Sequence, residues 1–190
     1  MKIFIAHLSL CFAIVLSATS SASADIIAGN EAKPTDEQAA LSGPSEAQIS
    51  EKWSDRASEV LMNALSLSGI RYQYGGNSPD TGFDCSGFVR YVFKQATSLT
   101  LPRSALAMSQ LGKNVRKNEL QPGDLVFFNT LKSAFSHVGI YVGNNRFIHS
   151  PRNGGVVRIE SLETDYWAKH YDGAQRIDAN KDAANTKISD

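Results

Sequence analysis

The chain has 190 residues, of which 42% are hydrophobic and 20% charged, the proportions of an ordinary globular protein and not of a disordered one. Its basic and acidic side chains cancel to a formal net charge of zero, which excludes the basic excess expected of a nucleic-acid binder. The length fits one domain with tails.

The first 24 residues read as a signal peptide. Lys2 supplies a positive start, Ile3 to Leu16 is an apolar stretch, and Ala22-Ser23-Ala24 is an A-x-A cleavage site. A membrane-spanning helix needs roughly 20 apolar residues. This run is shorter and is interrupted by His7 and Ser9, so the chain is expected to be exported and not integral to a membrane. Lipoprotein anchoring through Cys11 is disfavoured, because Leu10 is large and Cys11 lies in the middle of the apolar run. Cleavage after Ala24 also removes Cys11 and leaves Cys85 as the only thiol. Exported proteins normally use cysteines in pairs. A lone one is either a buried inert thiol or a reactive one.

Residues 25–44 form a polar leader without apolar periodicity, closed by Gly43-Pro44. One domain is expected over 45–177, followed by a polar tail over 178–190. The domain opens with a helix whose face carries Ile49, Trp53, Ala57, Val60, Leu61, Ala64 and Leu65. Ser45 and Gln48 have the spacing of a capping box, and Gly69 is the expected stop. A second helix starts at Asp84, with Cys85, Phe88, Val89, Val92, Phe93 and Ala96 on one stripe. A third, short helix is expected over 104–111, ending at Gly112.

The period then changes. Leu125-Val126-Phe127-Phe128 follows a Pro122-Gly123-Asp124 turn and reads as a buried strand. His137 to Val142 is a strand, Gly143-Asn144-Asn145 a hairpin turn and Arg146 to Ser150 the returning strand. Further strands are expected over 155–159 and 173–177. Helices followed by a strand meander predict an α+β domain, with helices packed on an antiparallel sheet.

The chemistry centres on Phe83-Asp84-Cys85-Ser86-Gly87-Phe88. With Asp84 as N-cap, Cys85 is the first helical residue, beside unpaired backbone N–H groups and the positive end of the helix dipole. That placement predicts a thiol pKa below the usual value of about 8.5 and an attacking thiolate. Cys85 is also in phase with Phe88 and Val89, so helical periodicity alone permits an inert core residue. Gly87 in the first turn is a poor helix former and suggests that something, such as a substrate strand, approaches the backbone there.

A thiol nucleophile needs a base, and the base an orienting group. With a three-residue loop, Val142 faces Arg146 and His149 faces Gly139. His149 is then the diagonal neighbour of His137 on one sheet face, and a one-residue slip would separate them. Two unrelated strand histidines are the plainer alternative. Two on one face, in a chain with a single exported thiol, favour a Cys–His–His set. His170 lacks such a partner and is expected at the surface.

Arg71-Tyr72-Gln73-Tyr74-Gly75-Gly76 and the segment around Cys85 resemble the signature of the NlpC/P60 family of cell-wall peptidases. The likeness runs on through Leu101-Pro102-Arg103-Ser104, 122–128, 137–143 and Phe147-Ile148-His149, over about 58–177. Within the family it is most similar to Gram-negative murein endopeptidases of the Spr type. The resemblance implies a papain-like core, a peptidoglycan substrate and a periplasmic location. It implies Cys85 as nucleophile, His137 as base, His149 as orienting residue, Tyr72 as an oxyanion donor, and Asp84 and Ser86 as substrate-holding groups. No metal or organic cofactor is implied, and a monomer is expected. Gln73 and Tyr74 depart from the family pattern, and Thr130 to Ser136 follows none. Three alternatives stay open: a zinc site on Cys85, His137 and His149, whose ligands lack a close pair; a catalytically silent peptidoglycan-binding or regulatory protein; and a wall-degrading toxin or amidase.

Overall fold

A computed structural model describes residues 46–152 and 154–178 of the chain. The expected signal peptide, leader, Ser45 cap and polar tail, and the side chains of Ile49 and Trp53, lie outside what it describes. Helix α1 (Glu46–Ser66) buries Ala57, Val60 and Ala64. Leu65, expected on the same face, is 44% exposed, because it lies about 100° around the helix from Ala64. Gly69 ends the turn that follows, at φ +87°, and its N–H donates to the Val157 carbonyl at 2.9 Å.

Helix α2 (Cys85–Thr97) starts as its sequence demands. Asp84 is extended (φ −86°, ψ 177°) and accepts from the Gly87 N–H. Phe88, Val89, Val92 and Phe93 are buried on its apolar face, and they share a core with Val60 and Ala64. Helix α3 (Ala105–Met108), capped by Ser104, is shorter than expected. After Met108 the N–H groups of Gln110 and Leu111 bond three residues back, so the chain tightens and leaves the α-helix. Helix α4 (Asp165–His170) was not legible as an element in the sequence.

Two short strands, β1 (Asn77–Ser78) and β2 (Gly82–Phe83), make a small ribbon just before α2. Strands β3 (Lys113–Asn114), β4 (Leu125–Phe128), β5 (His137–Gly143), β6 (Arg146–His149), β7 (Arg158–Ser161) and β8 (Tyr171–Arg176) form one antiparallel sheet in the order β3-β8-β4-β5-β6-β7. The α+β class expected from the sequence is the observed one. Strand β7 begins later than expected. Residues 155–157 pair instead with the segment after α1, where Tyr72 N–H donates to Gly155 O (2.7 Å) and Val157 N–H to Ile70 O (2.8 Å).

The sheet separates two apolar layers. On one face Phe127, Val138, Ile140 and Ile148 pack with the helices. On the other, Val126, Phe128, Phe147, Leu162 and Trp167 form a second cluster. Among the described residues no helix is long and apolar enough to cross a membrane.

Asp124, in the turn leading into β4, is fully buried. Arg176 clasps it through Nε (2.7 Å) and Nη2 (2.8 Å), and the Gln121 N–H donates to it at 2.7 Å. Removing one partner of a buried pair leaves the other charge without compensation, at a cost of about 3–5 kcal/mol. Arg176→Ala, which leaves the fully buried Asp124 carboxylate without its cation, should therefore lower the unfolding free energy by about that much, read from urea unfolding. A loss below about 1 kcal/mol would show the pair to be screened surface chemistry.

Candidate active site

The hairpin between β5 and β6 places the two histidines. Asn144 and Asn145 both take positive φ (51° and 54°), the conformation of a two-residue type I′ turn. Gly143 opposes Arg146, whereas Tyr141 opposes Phe147 and Ile140 opposes Ile148. The three-residue loop expected from the sequence is thus a two-residue turn plus a bulge at Val142. The extra residue restores the parity that the shorter loop would have lost. Gly139 therefore stands across from His149, with His137 on the diagonal. A methyl group on Gly139 would lie 2.7 Å from the Phe147 ring and 3.2 Å from the His149 Cβ, so glycine is what lets the strands carry both rings.

His137 Nε2 lies 2.7 Å from His149 Nδ1, with the rings nearly perpendicular (87°). Both imidazoles are buried. Trp167 stacks on His137 (centroids 5.6 Å, 25°) and meets His149 edge-on at 5.0 Å. Burial and the neighbouring His149 charge push the His137 pKa down to about 3, against an opposing pull from Glu160. Burial also lowers that of His149, again opposed by Glu160. Both rings are therefore neutral near pH 7.

Cys85 is free and partly exposed, at the first position of α2. Its thiol pKa is raised, not lowered as the helix N-terminus suggested. Burial pushes it up and the Asp84 charge adds to this, whereas the N–H groups of Val138, Ser86 and Cys85 itself pull it down. The helix end does favour the thiolate, but desolvation and the capping carboxylate outweigh it. Helix α2 packs against β5, the strand that begins at His137.

Cys85 and His137 line one cleft of about 600 Å³, with Tyr72, Asp84, Ser86 and Arg152 also on its walls. The histidine pair packs with Phe128, Phe147 and Trp167, on the sheet face away from α2. The cleft at the open end of β5 is where that face and the N-terminus of α2 come together.

Asp84 is more than a helix cap. Its carboxylate accepts from Gly87 N–H (2.7 Å), Gly75 N–H (3.0 Å) and both Arg103 terminal nitrogens (2.9 and 2.5 Å). Ser86 donates to Asp84 at 3.3 Å and accepts from Arg103 at 2.8 Å. Arg103 belongs to the Leu101-Pro102-Arg103-Ser104 segment, and nothing in its spacing points to Asp84. Gly87 is needed for the chain's own sake. A Cβ there would sit 2.1 Å from the Gly76 carbonyl oxygen, so the close neighbour is the Gly75-Gly76 segment and not a substrate strand. Tyr72 lines the cleft with its pKa raised, mainly by burial and then by the Cys85 charge, while Arg152 opposes the shift.

Sequence reasoning missed Ser150 and Glu160. Buried Ser150 donates to the Phe83 carbonyl at 2.8 Å, tying the end of β6 to the residues just before Cys85. Glu160 fell outside the strand expected over 155–159. In β7 it pairs with Phe147, which puts it on the face of His149. Its Oε1 lies 3.8 Å from His149 Nε2 and accepts from Arg158 Nε at 2.5 Å, and its Oε2 accepts from Trp167 Nε1. His170, expected at the surface, is half-buried at the end of α4, with Nδ1 2.7 Å from the Tyr166 carbonyl oxygen. It does not line the cleft.

The NlpC/P60 family model matches residues 69–176. The murein DD-endopeptidase MepH of Escherichia coli K12 is 47% identical over 126 residues, covering 64% of this chain and 46% of that protein. The murein DD-endopeptidase/murein LD-carboxypeptidase MepS of the same strain is 42% identical over 123 residues, covering 65% and 64%. A crystal structure of an NlpC/P60 family protein from Bacillus cereus superposes with a TM-score of 0.59 at 37% identity, covering 63% of this chain and 39% of that one. The aligned region thus spans about half to two thirds of the curated relatives' own length.

Proposed function

This chain belongs to the NlpC/P60 family, and on that premise we propose that it is a cysteine endopeptidase that hydrolyses amide bonds in peptidoglycan stem peptides or cross-links. Cys85 is the nucleophile, His137 its base and His149 the residue that orients the base. The observation that carries this reading is the 2.7 Å bond between His137 Nε2 and His149 Nδ1, beside a cleft that the only free thiol among the described residues also lines.

With Nε2 engaged by His149, His137 has Nδ1 left for the thiol. The resting pair is a neutral thiol and a neutral imidazole, so proton transfer accompanies attack. The Cys85 sulfur adds to the amide carbonyl carbon as its proton passes to His137. The tetrahedral oxyanion takes hydrogen bonds from the Cys85 backbone N–H and the Tyr72 hydroxyl. Collapse breaks the C–N bond, and the His137 imidazolium protonates the departing amine. Water then attacks the thioester with His137 as base, which releases a carboxylate and restores the thiol. This chemistry calls on no metal or organic cofactor.

Loss of one oxyanion donor typically costs about 10²–10³ in rate. Tyr72→Phe should be slower by up to that factor yet still active, measured as initial rate on purified peptidoglycan. A rate equal to wild type would remove Tyr72 from the oxyanion site. Asp84 and Ser86 hold the peptide through the cleft wall that Arg103 stiffens.

The relatives named as murein endopeptidases support a wall substrate, and the apolar start of the chain supports export to the periplasm. The proposed organisation is a signal peptide over 1–24, a leader over 25–44, a catalytic domain over 45–177 and a tail over 178–190, acting as a monomer. A silent binding protein would call for a cleft closed over Cys85, and the place of Cys85 on the wall of the cleft weighs against it. Digestion of purified peptidoglycan, with mass spectrometry of the products, tests the reading. New amine and carboxyl ends are expected in the stem peptides. A digest without them would overturn it.

A further inference from the structure

We propose that Glu160 is a positioning residue of this site: its carboxylate fixes the proton of His149 on Nε2, so that His137 keeps its own proton on Nε2 and presents a bare Nδ1 to the thiol. The inference rests on the peptidase reading for its catalytic meaning, but the proton arrangement can be measured without any activity.

His149 Nε2 is shut off from solvent and makes no hydrogen bond within ordinary distance. The carboxylate nearby is Glu160, at 3.8 Å. A neutral imidazole has one N–H and one lone pair. With the lone pair on Nε2, it would face a carboxylate oxygen across a dry gap, which is repulsive. With the N–H on Nε2, the dipole points its positive end at the charge. Burial strengthens this preference, because little water screens it.

The choice at His149 dictates the choice at His137. If His149 carries its proton on Nε2, its Nδ1 is an acceptor, and the 2.7 Å contact requires His137 Nε2 to donate. His137 Nδ1 is then free of a proton and able to take one. The opposite arrangement would leave His137 protonated on Nδ1 and useless as a base, the same failure that follows when the third member of a serine-protease triad is replaced.

The carboxylate is built to stay in place and charged. Arg158 holds one oxygen and the Trp167 indole N–H the other, and the indole ring packs on both imidazoles. The pull of His149 across the 3.8 Å gap comes first, with the bonds from Trp167 and Arg158 adding, and together they draw the Glu160 pKa down to about 2 against the opposing effect of burial. When His137 becomes cationic during the reaction, the same charge stands behind the pair and favours it.

The test combines two measurements on the full mature protein. Long-range ¹H–¹⁵N correlation spectra assign the protonated nitrogen of each ring, and the expected wild-type result is Nε2–H on both His137 and His149. Glu160→Gln keeps the shape but drops the charge. It should shift His149 toward the other tautomer and lower kcat by more than about 10-fold, up to the loss of about 10⁴ that follows when a triad base is held in the wrong tautomer, with KM nearly unchanged. Nδ1–H on His149 in the wild type overturns the inference, as does a Glu160→Gln protein with wild-type kcat and unchanged spectra. Should that variant fail to fold, the wild-type spectrum still decides. Nε2–H on His149 in a wild type that cuts no peptidoglycan supports the proton arrangement while refuting the peptidase reading.

Discussion

The Cys85→Ala variant folds as the wild type does and releases no new ends from purified peptidoglycan. The first half of this expectation follows from where the thiol sits. Cys85 lies at the first position of α2, partly buried against the edge of the core, so removing its single sulfur atom leaves at most a small gap beside the cleft that it lines. Alanine has the highest helix propensity, and the Asp84 cap with its Arg103 partner is untouched. Stability should change by about 1 kcal/mol or less, below the loss that follows truncation of a fully buried large side chain. The second half follows from the chemistry. Without sulfur there is no thioester, and loss of a covalent nucleophile costs on the order of 10⁶ in kcat. Muropeptide analysis by mass spectrometry, beside a thermal melt, reads both. A folded Cys85→Ala protein that still cuts peptidoglycan would end the covalent mechanism.

The second large effect is at His137. His137→Ala should lower kcat by about 10⁴–10⁶, and the Cys85→Ala/His137→Ala double variant should be no worse than either single one, because the two groups act as a unit. The wild-type pH profile carries a further expectation. An imidazole acts as base only when neutral, and an ordinary one is protonated and lost as a base below about 6.5. Burial and His149 hold His137 neutral down to about pH 3, so the acid limb of kcat/KM should lie well below 6.5. The raised thiol pKa moves the alkaline limb upward. The two shifts together give a broad plateau of a neutral pair. An acid limb centred near 6.5 would mean that His137 is not desolvated in the working enzyme.

The same depression has a consequence for the fold. An unfolded His137 binds a proton as pH falls below about 6.5, while the folded one resists until about 3. In that window the unfolded state holds more protons, so stability falls with acid.

Much of the molecule was legible because its periodicities are local. The stripe of Phe88, Val89, Val92 and Phe93 needs only the 3.6-residue repeat to declare a helix, and Asp84 declares where it starts. Leu125 to Phe128 reads as a buried strand because a short apolar run follows the Pro122-Gly123-Asp124 turn, and it is β4. The places that were misread depend on partners distant in sequence. Residues 155–157 have strand character, yet the backbone they join belongs to the segment after α1 and not to β6. The role of Gly87 was assigned to an approaching substrate because nothing local reveals that Gly76 lies against it.

Local order in the chain was enough for the α+β class, the capped helix that presents Cys85, and the placing of His137 and His149 on one face, because helix caps and strand parity are short-range properties. Tertiary structure alone decided the charge state and the company of those groups. Whether the thiol rests charged depends on desolvation and on Asp84, and only folding sets the balance between them and the helix end. The bulge at Val142 that keeps the histidine register, the Arg103 clasp on Asp84 and the approach of Glu160 to His149 join segments through space. Their physical reason is burial, which turns modest charges and single hydrogen bonds into strong constraints once water is excluded.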